Sequence, residues 1–113
     1  MNVTHKSIVL DKLGNTETIS VQTMKSSYHF SVLDPTNRRG LLSGGSLGDQ
    51  VIEAFLTGTV SEDSRRFDTD ELRTGERAVF FVESKKSVHR LITSVITNLV
   101  VISTPVPKTH RGN

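Results

Sequence analysis

The chain has 113 residues and a mass of 12.5 kDa, a length that predicts one domain and excludes a two-domain enzyme. Fourteen basic against twelve acidic residues leave a net charge of +2, too small for the field of a strongly basic nucleic-acid-binding protein. The chain contains no cysteine, which excludes disulfides, thiolate metal sites and a cysteine nucleophile.

The composition favours strands over helices. The chain has 13 Val, 6 Ile and 13 Thr but only two Ala. Side chains that branch at Cβ lose rotamer freedom against a helical turn but pack well on a pleated sheet, and alanine is the best helix former. No apolar run is long enough for a signal peptide or a membrane span, so we expect a cytoplasmic protein with no membrane partner.

The first predicted element is a β-hairpin. Residues 7–13 and 16–24 flank Gly14-Asn15, a dipeptide suited to a tight primed turn. If Leu13 pairs with Thr16, apolar residues face each other across the two strands. That register predicts the pairs Lys12 with Glu17, Leu10 with Ile19, and Ile8 with Val21.

Two further strands follow from alternating apolar residues. Residues 27–33 form the first, which stops at the type I turn predicted for Asp34-Pro35-Thr36-Asn37. Residues 77–83 form the second, with apolar side chains on both faces. This pattern indicates a strand that is covered on both faces or that offers one face to another subunit.

Two segments are ambiguous between strand and helix. Apolar residues in 46–57 and in 88–102 recur at helical spacing, whereas β-branched residues dominate the second segment. We favour strands in both, with the second split into two by bends at Thr93-Ser94 and Thr97-Asn98. The alternative is an α+β fold with helices near 46–57 and 88–102.

These elements predict an all-β fold, a small antiparallel barrel or sandwich of about six to eight short strands. The domain spans residues 1–104, and residues 105–113 form a mobile basic tail with two prolines. Residues 61–72 form a long polar loop, a length that is uncommon without a function or disorder.

One motif matches a hydrolase pattern. Gly44-Gly45-Ser46-Leu47-Gly48 fits G-x-S-x-G, the turn that carries the serine nucleophile of α/β-hydrolases. That fold needs a large parallel sheet, which about 40 preceding residues cannot build. We therefore expect a structural turn and no catalytic residue, and a serine hydrolase at Ser46 is the remote alternative.

Paired arginines are the candidate anion site. Arg38, Arg39, Arg65 and Arg66 stand in two predicted connections, and in an up-and-down meander both connections lie at one end, with Lys85-Lys86 at the other. Arginine suits bidentate phosphate contacts, so this end is a candidate site for nucleic acid or another polyanion. Five acidic residues in the second connection oppose that interpretation, because they would cancel most of the field.

No motif predicts a metal site or a cofactor. The function favoured by the sequence is therefore a non-catalytic β-barrel interaction module that forms a homo-oligomer, because strands with two apolar faces are buried most simply against another copy. Polyanion binding through the four arginines is the alternative.

Overall fold

The computed structural model describes residues 2–84 and 87–103, and these residues form an all-β structure without an α-helix. The predicted fold class is confirmed, and the α+β alternative is wrong. The strands are β1 (Asn2–His5), β2 (Ser7–Val9), β3 (Glu17–Thr23), β4 (Ser27–Asp34), β5 (Arg39–Gly44), β6 (Val51–Val60), β7 (Phe67–Asp68), β8 (Glu71–Arg73), β9 (Arg77–Ser84) and β10 (Ser87–Ser103). Short 3-10 turns occupy Leu10–Lys12 and Gly45–Leu47.

Six strands close into an antiparallel barrel. The meander β3-β4-β5-β6-β9-β10 pairs each strand with the next, and β10 pairs back with β3. Strands β1 and β7 extend the same sheet, while β2 and β8 form a separate two-stranded sheet. Because the connections of a meander alternate between the two ends, the β4–β5 and β6–β9 connections lie at one end, which we call the β4–β5 end.

The barrel interior is filled by side chains. Alternate residues of each strand point inwards, as the period of two requires. Phe30 on β4 and Phe80 on β9, three strands apart in either direction, meet in the middle with ring centroids 5.7 Å apart and planes tilted by 50°. The two rings therefore join opposite walls of the barrel. The other fully buried apolar side chains of the barrel include Ile19, Val21, Leu42, Ala54, Leu56, Ala78, Ile96 and Leu99.

The predicted N-terminal hairpin is wrong. Ile19 and Val21 pair instead with Phe30 and Tyr28 of β4 on one side and with β10 on the other. Strand β3 therefore has two neighbours already, and residues 7–13 cannot pair with it. The apolar match that favoured the hairpin arises because both segments contribute side chains to one core, not because they lie side by side.

Residues 7–13 instead cap the β4–β5 end of the barrel. Strand β2 pairs with β8, placing Ile8 opposite Leu72, and the chain then turns through the 3-10 segment. Leu10 and Leu72 are fully buried and Leu13 is nearly so. The backbone N–H of Leu10 donates to the carbonyl of Asp70 at 2.8 Å. The predicted polar loop 61–72 thus contains β7 and the start of β8, and one of its side chains belongs to the core.

The two ambiguous segments are extended. Residues 46–50 form a 3-10 turn and its exit, and 51–60 form β6, so the strand prediction is confirmed from Val51 onwards. Residues 88–102 lie in one continuous strand rather than in two. The register of β10 shifts between Ile92 and Val95 and again between Ile96 and Asn98, which are the positions of the predicted bends. They are β-bulges, which bend a strand without ending it.

Candidate interaction surface

An apolar surface covers the outside of the barrel where β6, β9 and β10 lie side by side. Phe81 points outwards on β9, and Val79 points to the same side but is buried by its neighbours. On β10, Val88 lies opposite Glu83 of β9 and Ile92 lies opposite Val79. Val88 is 60% exposed and Ile92 is 43% exposed. We call this the outer face, and it further contains Phe55, Val60, Phe67 and Arg90.

Phe81 separates two shallow depressions on the outer face. The first lies towards β6 and is lined by Phe55, Thr57 and Val88, with Arg38 at its edge. The second lies towards β10 and is lined by Val79, Phe67 and Ile92, with Arg90 beside them. Phe67 remains 53% exposed above this second depression. Both hollows are mainly apolar and open to solvent, a combination that marks interaction sites more often than isolated exposed residues do.

The surface ends at an unpaired strand edge. Strand β10 pairs with β9 over residues 87–95, and on its other side it pairs with β3 only from residue 96 onwards. The last backbone contact on that side is the N–H of Met24, which donates to the carbonyl of Val95 at 3.0 Å. Within residues 2–84 and 87–103, no strand pairs with residues 87–93 on this second side. We call this segment the free edge.

Opposite charges stand unpaired beside the free edge. Arg90 and Glu83 are both exposed, and no oppositely charged side chain of the described residues lies within 4 Å of either. Glu53 on the neighbouring β6 differs, because Arg39 Nε lies 3.5 Å from its Oε1. The surface thus offers one cation and one anion with unused ion-pairing capacity.

Arg38, Arg65 and Arg66 lie in the two expected connections, and Arg39 is the first residue of β5. Carboxylates already pair with three of the four arginines. Arg38 pairs with Asp11 at 2.7 Å and donates to the carbonyl of Thr69. Its own carbonyl accepts from Leu56 N–H at 2.9 Å, so Arg38 ties the β4–β5 turn to the cap and to β6. Arg39 pairs with Glu53, as described above.

Acidic side chains also lie around the second arginine pair, Arg65 and Arg66. Arg65 Nε lies 3.8 Å from Asp63, whose pKa is lowered first by the hydroxyl of Ser61 and then by the N–H of Arg65. Arg66 has no ion pair among the described residues and borders a depression that also contains Glu62, Asp63 and Glu76. The structure does not gather the four guanidinium groups into one cluster free of carboxylates. Lys85-Lys86 and the predicted tail, residues 105–113, lie outside the described residues.

An ion-pair cluster that sequence reasoning missed surrounds Arg73. Its guanidinium lies 2.5 Å from Asp68, 3.4 Å from Glu71 and 3.7 Å from Glu76. The N–H of Asp70 lowers the pKa of Asp68 most, followed among the favourable contacts by the charge of Arg73. These acidic residues therefore neutralise a structural arginine beside the cap. The acidic run Asp68–Glu71 was the only sequence signal for the cluster.

Ser46 hydrogen-bonds to a tyrosine. Its Oγ lies 3.2 Å from the hydroxyl of Tyr28, which also accepts from the N–H of Ser46 at 3.2 Å. Gly45 lies against the same ring, because a Cβ at this position would stand 2.1 Å from Tyr28 Cζ. The Gly-Ser segment is thus shaped to cover Tyr28, in agreement with the structural turn that we expected.

The free edge could not be found from the sequence, because pairing on both sides of β10 depends on where β3 ends in space. One signal did point to the outer face, namely the apolar residues on both faces of 77–83. Among the described residues, no cluster of His, Asp or Glu side chains is arranged to hold a metal ion. In the same residues, no helix is long and apolar enough to span a bilayer.

Comparison of the chain with protein-family models, with curated proteins and with solved structures gives no match.

Proposed function

We propose that this protein is a β-barrel interaction module that associates with a second copy of itself through the free edge of β10 and the part of the outer face beside it. The observation that carries the proposal is the exposure of Val88, Ile92 and Phe67 around the half-buried ring of Phe81. Burying apolar surface of this kind is the main favourable contribution to most protein association.

The geometry of the barrel supports this choice. The interior is filled by side chains, so a small molecule has no enclosed space there. On the outward side of β9, Val79 is already buried within the chain, whereas the ring of Phe81 stays half-buried. A partner beside this ring would cover what the barrel leaves open.

Replacing Val88 with lysine tests the proposal. The side chain is exposed, so the barrel should still form, whereas a lysine in an apolar interface would have to lose water, a cost that Glu83 opposite it on β9 offsets only in part. We expect the wild-type chain to be a dimer at tens of micromolar and Val88→Lys to weaken the association at least about tenfold. Light scattering coupled to gel filtration measures both masses.

Leu33→Lys is the matched control. Leu33 is 48% exposed and lies on β4, three strands from β9 in either direction around the barrel. This variant introduces the same charge at a similar exposure but away from the outer face, so its mass should equal that of the wild type. A wild-type monomer at these concentrations, or equal weakening by both lysines, would contradict the proposal.

A further inference from the structure

We infer that two copies join edge to edge, with the free edges of their β10 strands paired antiparallel about a two-fold axis that passes between the two His89 residues. This inference rests on the proposed self-association and specifies its geometry. The two barrel sheets would then continue into one another across the axis, and Val88, at the edge of each outer face, would lie against Arg90 of the second copy.

The backbone of the free edge needs such a partner. In an antiparallel pair, alternate residues direct their N–H and C=O groups towards one neighbour and away from the other. Residues 87–92 pair with β9 on one side only, so every second residue presents these groups on the open side. An exposed strand edge of this kind is a template for pairing with another strand.

Symmetry restricts the register. A two-fold axis perpendicular to the sheet must place outward residues opposite outward residues, so one residue lies opposite its own counterpart at the axis. An axis at Leu91 pairs Val88 with Ser94 of the second copy, and there the second strand meets β3. Met24 N–H already donates to Val95, and Ser94 Oγ donates to Thr23 Oγ1 at 2.7 Å.

Charge separates the two registers that pair most of the free edge without meeting β3. An axis at Arg90 places two guanidinium groups directly opposite each other, which is unfavourable in a sheet. An axis at His89 places Val88 opposite Arg90 of the second copy, and the pairing of Ser87 with Leu91 stays clear of β3.

The His89 register also satisfies the unpaired charges. Glu83 lies opposite Val88 on β9, so Glu83 and Arg90 of the second copy stand on either side of Val88. Two strand spacings, about 9.5 Å between Cα atoms, separate them, a distance that an extended arginine and glutamate span. The axis creates this pair twice. Continuing the β6–β9 register by one residue from the pair of Ala54 and Val82 would place Glu53 beside Glu83, and the nearby guanidinium of Arg39 already pairs with Glu53.

A charge exchange between two chains tests this pairing. In Glu83→Arg dimers each Arg90 would face an arginine, and in Arg90→Glu dimers each Glu83 would face a glutamate. We expect each variant alone to associate at least about tenfold more weakly than the wild type. In an equimolar mixture, a dimer that holds one copy of each variant joins unlike charges at both contacts between the chains, whereas either homodimer joins like charges at both. We therefore expect mixed dimers to exceed either homodimer.

Native mass spectrometry distinguishes those mixed dimers by mass. An attraction between Glu83 and Arg90 within one chain cannot produce this result, because neither variant regains an internal pair. Circular dichroism on each variant shows whether the exposed substitutions leave the barrel intact. A mixture that stays monomeric while both variants remain folded would overturn the inference.

A single cysteine tests the axis. Because the chain has no cysteine, His89→Cys introduces the only thiol. Residues that face each other across an antiparallel pair have Cα atoms about 4.5 to 5.5 Å apart, within the range of a disulfide. We expect mild oxidation to link His89→Cys into a covalent dimer. Ser87→Cys is the control, because the two Ser87 positions would be about 13 Å apart along the strands.

The outcomes separate the two proposals. A wild-type dimer whose His89→Cys variant does not cross-link, or whose Ser87→Cys variant cross-links equally fast, overturns the edge pairing and leaves self-association standing. A wild-type monomer at tens of micromolar overturns both.

Discussion

Threonine hydroxyl groups form hydrogen bonds with backbone groups beside the β-bulges of this barrel. At the bulge between Ile92 and Val95, Oγ1 of the buried Thr93 accepts from the N–H of Ala78 at 3.0 Å. Beside the bulge of β6, Oγ1 of Thr57 donates to the carbonyl of Val79 at 2.9 Å. A bulge interrupts the ladder and exposes polar backbone groups, which are costly when buried. The many threonines therefore serve the closure of the barrel as well as strand propensity.

Gly58 is the position at which we expect the addition of a single methyl group to lower the stability of the fold most. Its φ of +138° is rare for residues with a side chain, and a Cβ would stand 1.9 Å from the carbonyl oxygen of Asp68. Because that oxygen belongs to the backbone of β7, it cannot move aside cheaply. We expect Gly58→Ala to lower the free energy of unfolding by more than about 2 kcal/mol in urea titrations.

Gly75→Ala is the control, because it tests the effect of a positive φ without a steric clash. Gly75 also has a positive φ, +87°, but a Cβ there would meet no atom within 4 Å. The strain of a left-handed residue should then cost about 1 to 2 kcal/mol. If the two alanines destabilise equally, the close approach of β7 to β6 is not what requires the glycine at position 58.

At the scale of elements, the cap formed by β2, the 3-10 turn and β8 allows a direct test of core packing outside the barrel strands. Leu10 is fully buried although it lies outside the barrel strands, and it packs into the same core. Removing its side chain leaves a cavity at the β4–β5 end. We expect Leu10→Ala to lower the free energy of unfolding by about 2 to 5 kcal/mol, measured as a shift of the urea midpoint at constant slope.

Val9→Ala is the comparison for the cap. Val9 lies one residue earlier and is exposed, so its truncation should cost less than about 1 kcal/mol. Equal effects at the two positions would mean that the cap contributes strand propensity but no core packing.

Signals within a short stretch of sequence predicted some elements correctly and others wrongly. The alternation in 27–33 and the Asp34-Pro35 turn predicted β4 correctly, because both signals are local. The hairpin at 7–24 was predicted from a turn dipeptide and matching apolar residues. Such a match cannot distinguish two strands that pair from two segments that reach one core by different routes.

At the scale of the whole molecule, the meander was predictable and the positions of its charges were not. The basic pairs in the sequence predicted that Arg38, Arg39, Arg65 and Arg66 lie at one end of the barrel, but they could not show which carboxylates fold against these arginines. Asp11, which holds Arg38, comes from the cap, an element that the sequence analysis placed in a hairpin. Arg38 therefore ties the β4–β5 end to the cap, and anion binding by the four arginines stays a prediction. The free edge likewise depends on the length of β10 relative to β3, which only the closed barrel defines.

A dimeric native state makes thermal stability depend on protein concentration. Association adds free energy to the folded state by mass action, and about a hundredfold increase in concentration above the dissociation constant contributes about 2.7 kcal/mol per dimer, or about 1.4 kcal/mol per chain. For a domain of this size we expect the melting temperature to rise by about 5 °C over that range. The Val88→Lys chain, with its association weakened, should melt at a nearly constant temperature, while Leu33→Lys should follow the wild type. A wild-type melting temperature that is independent of concentration in differential scanning calorimetry would mean that the barrel is stable without its partner and that the outer face contributes nothing to the folded state.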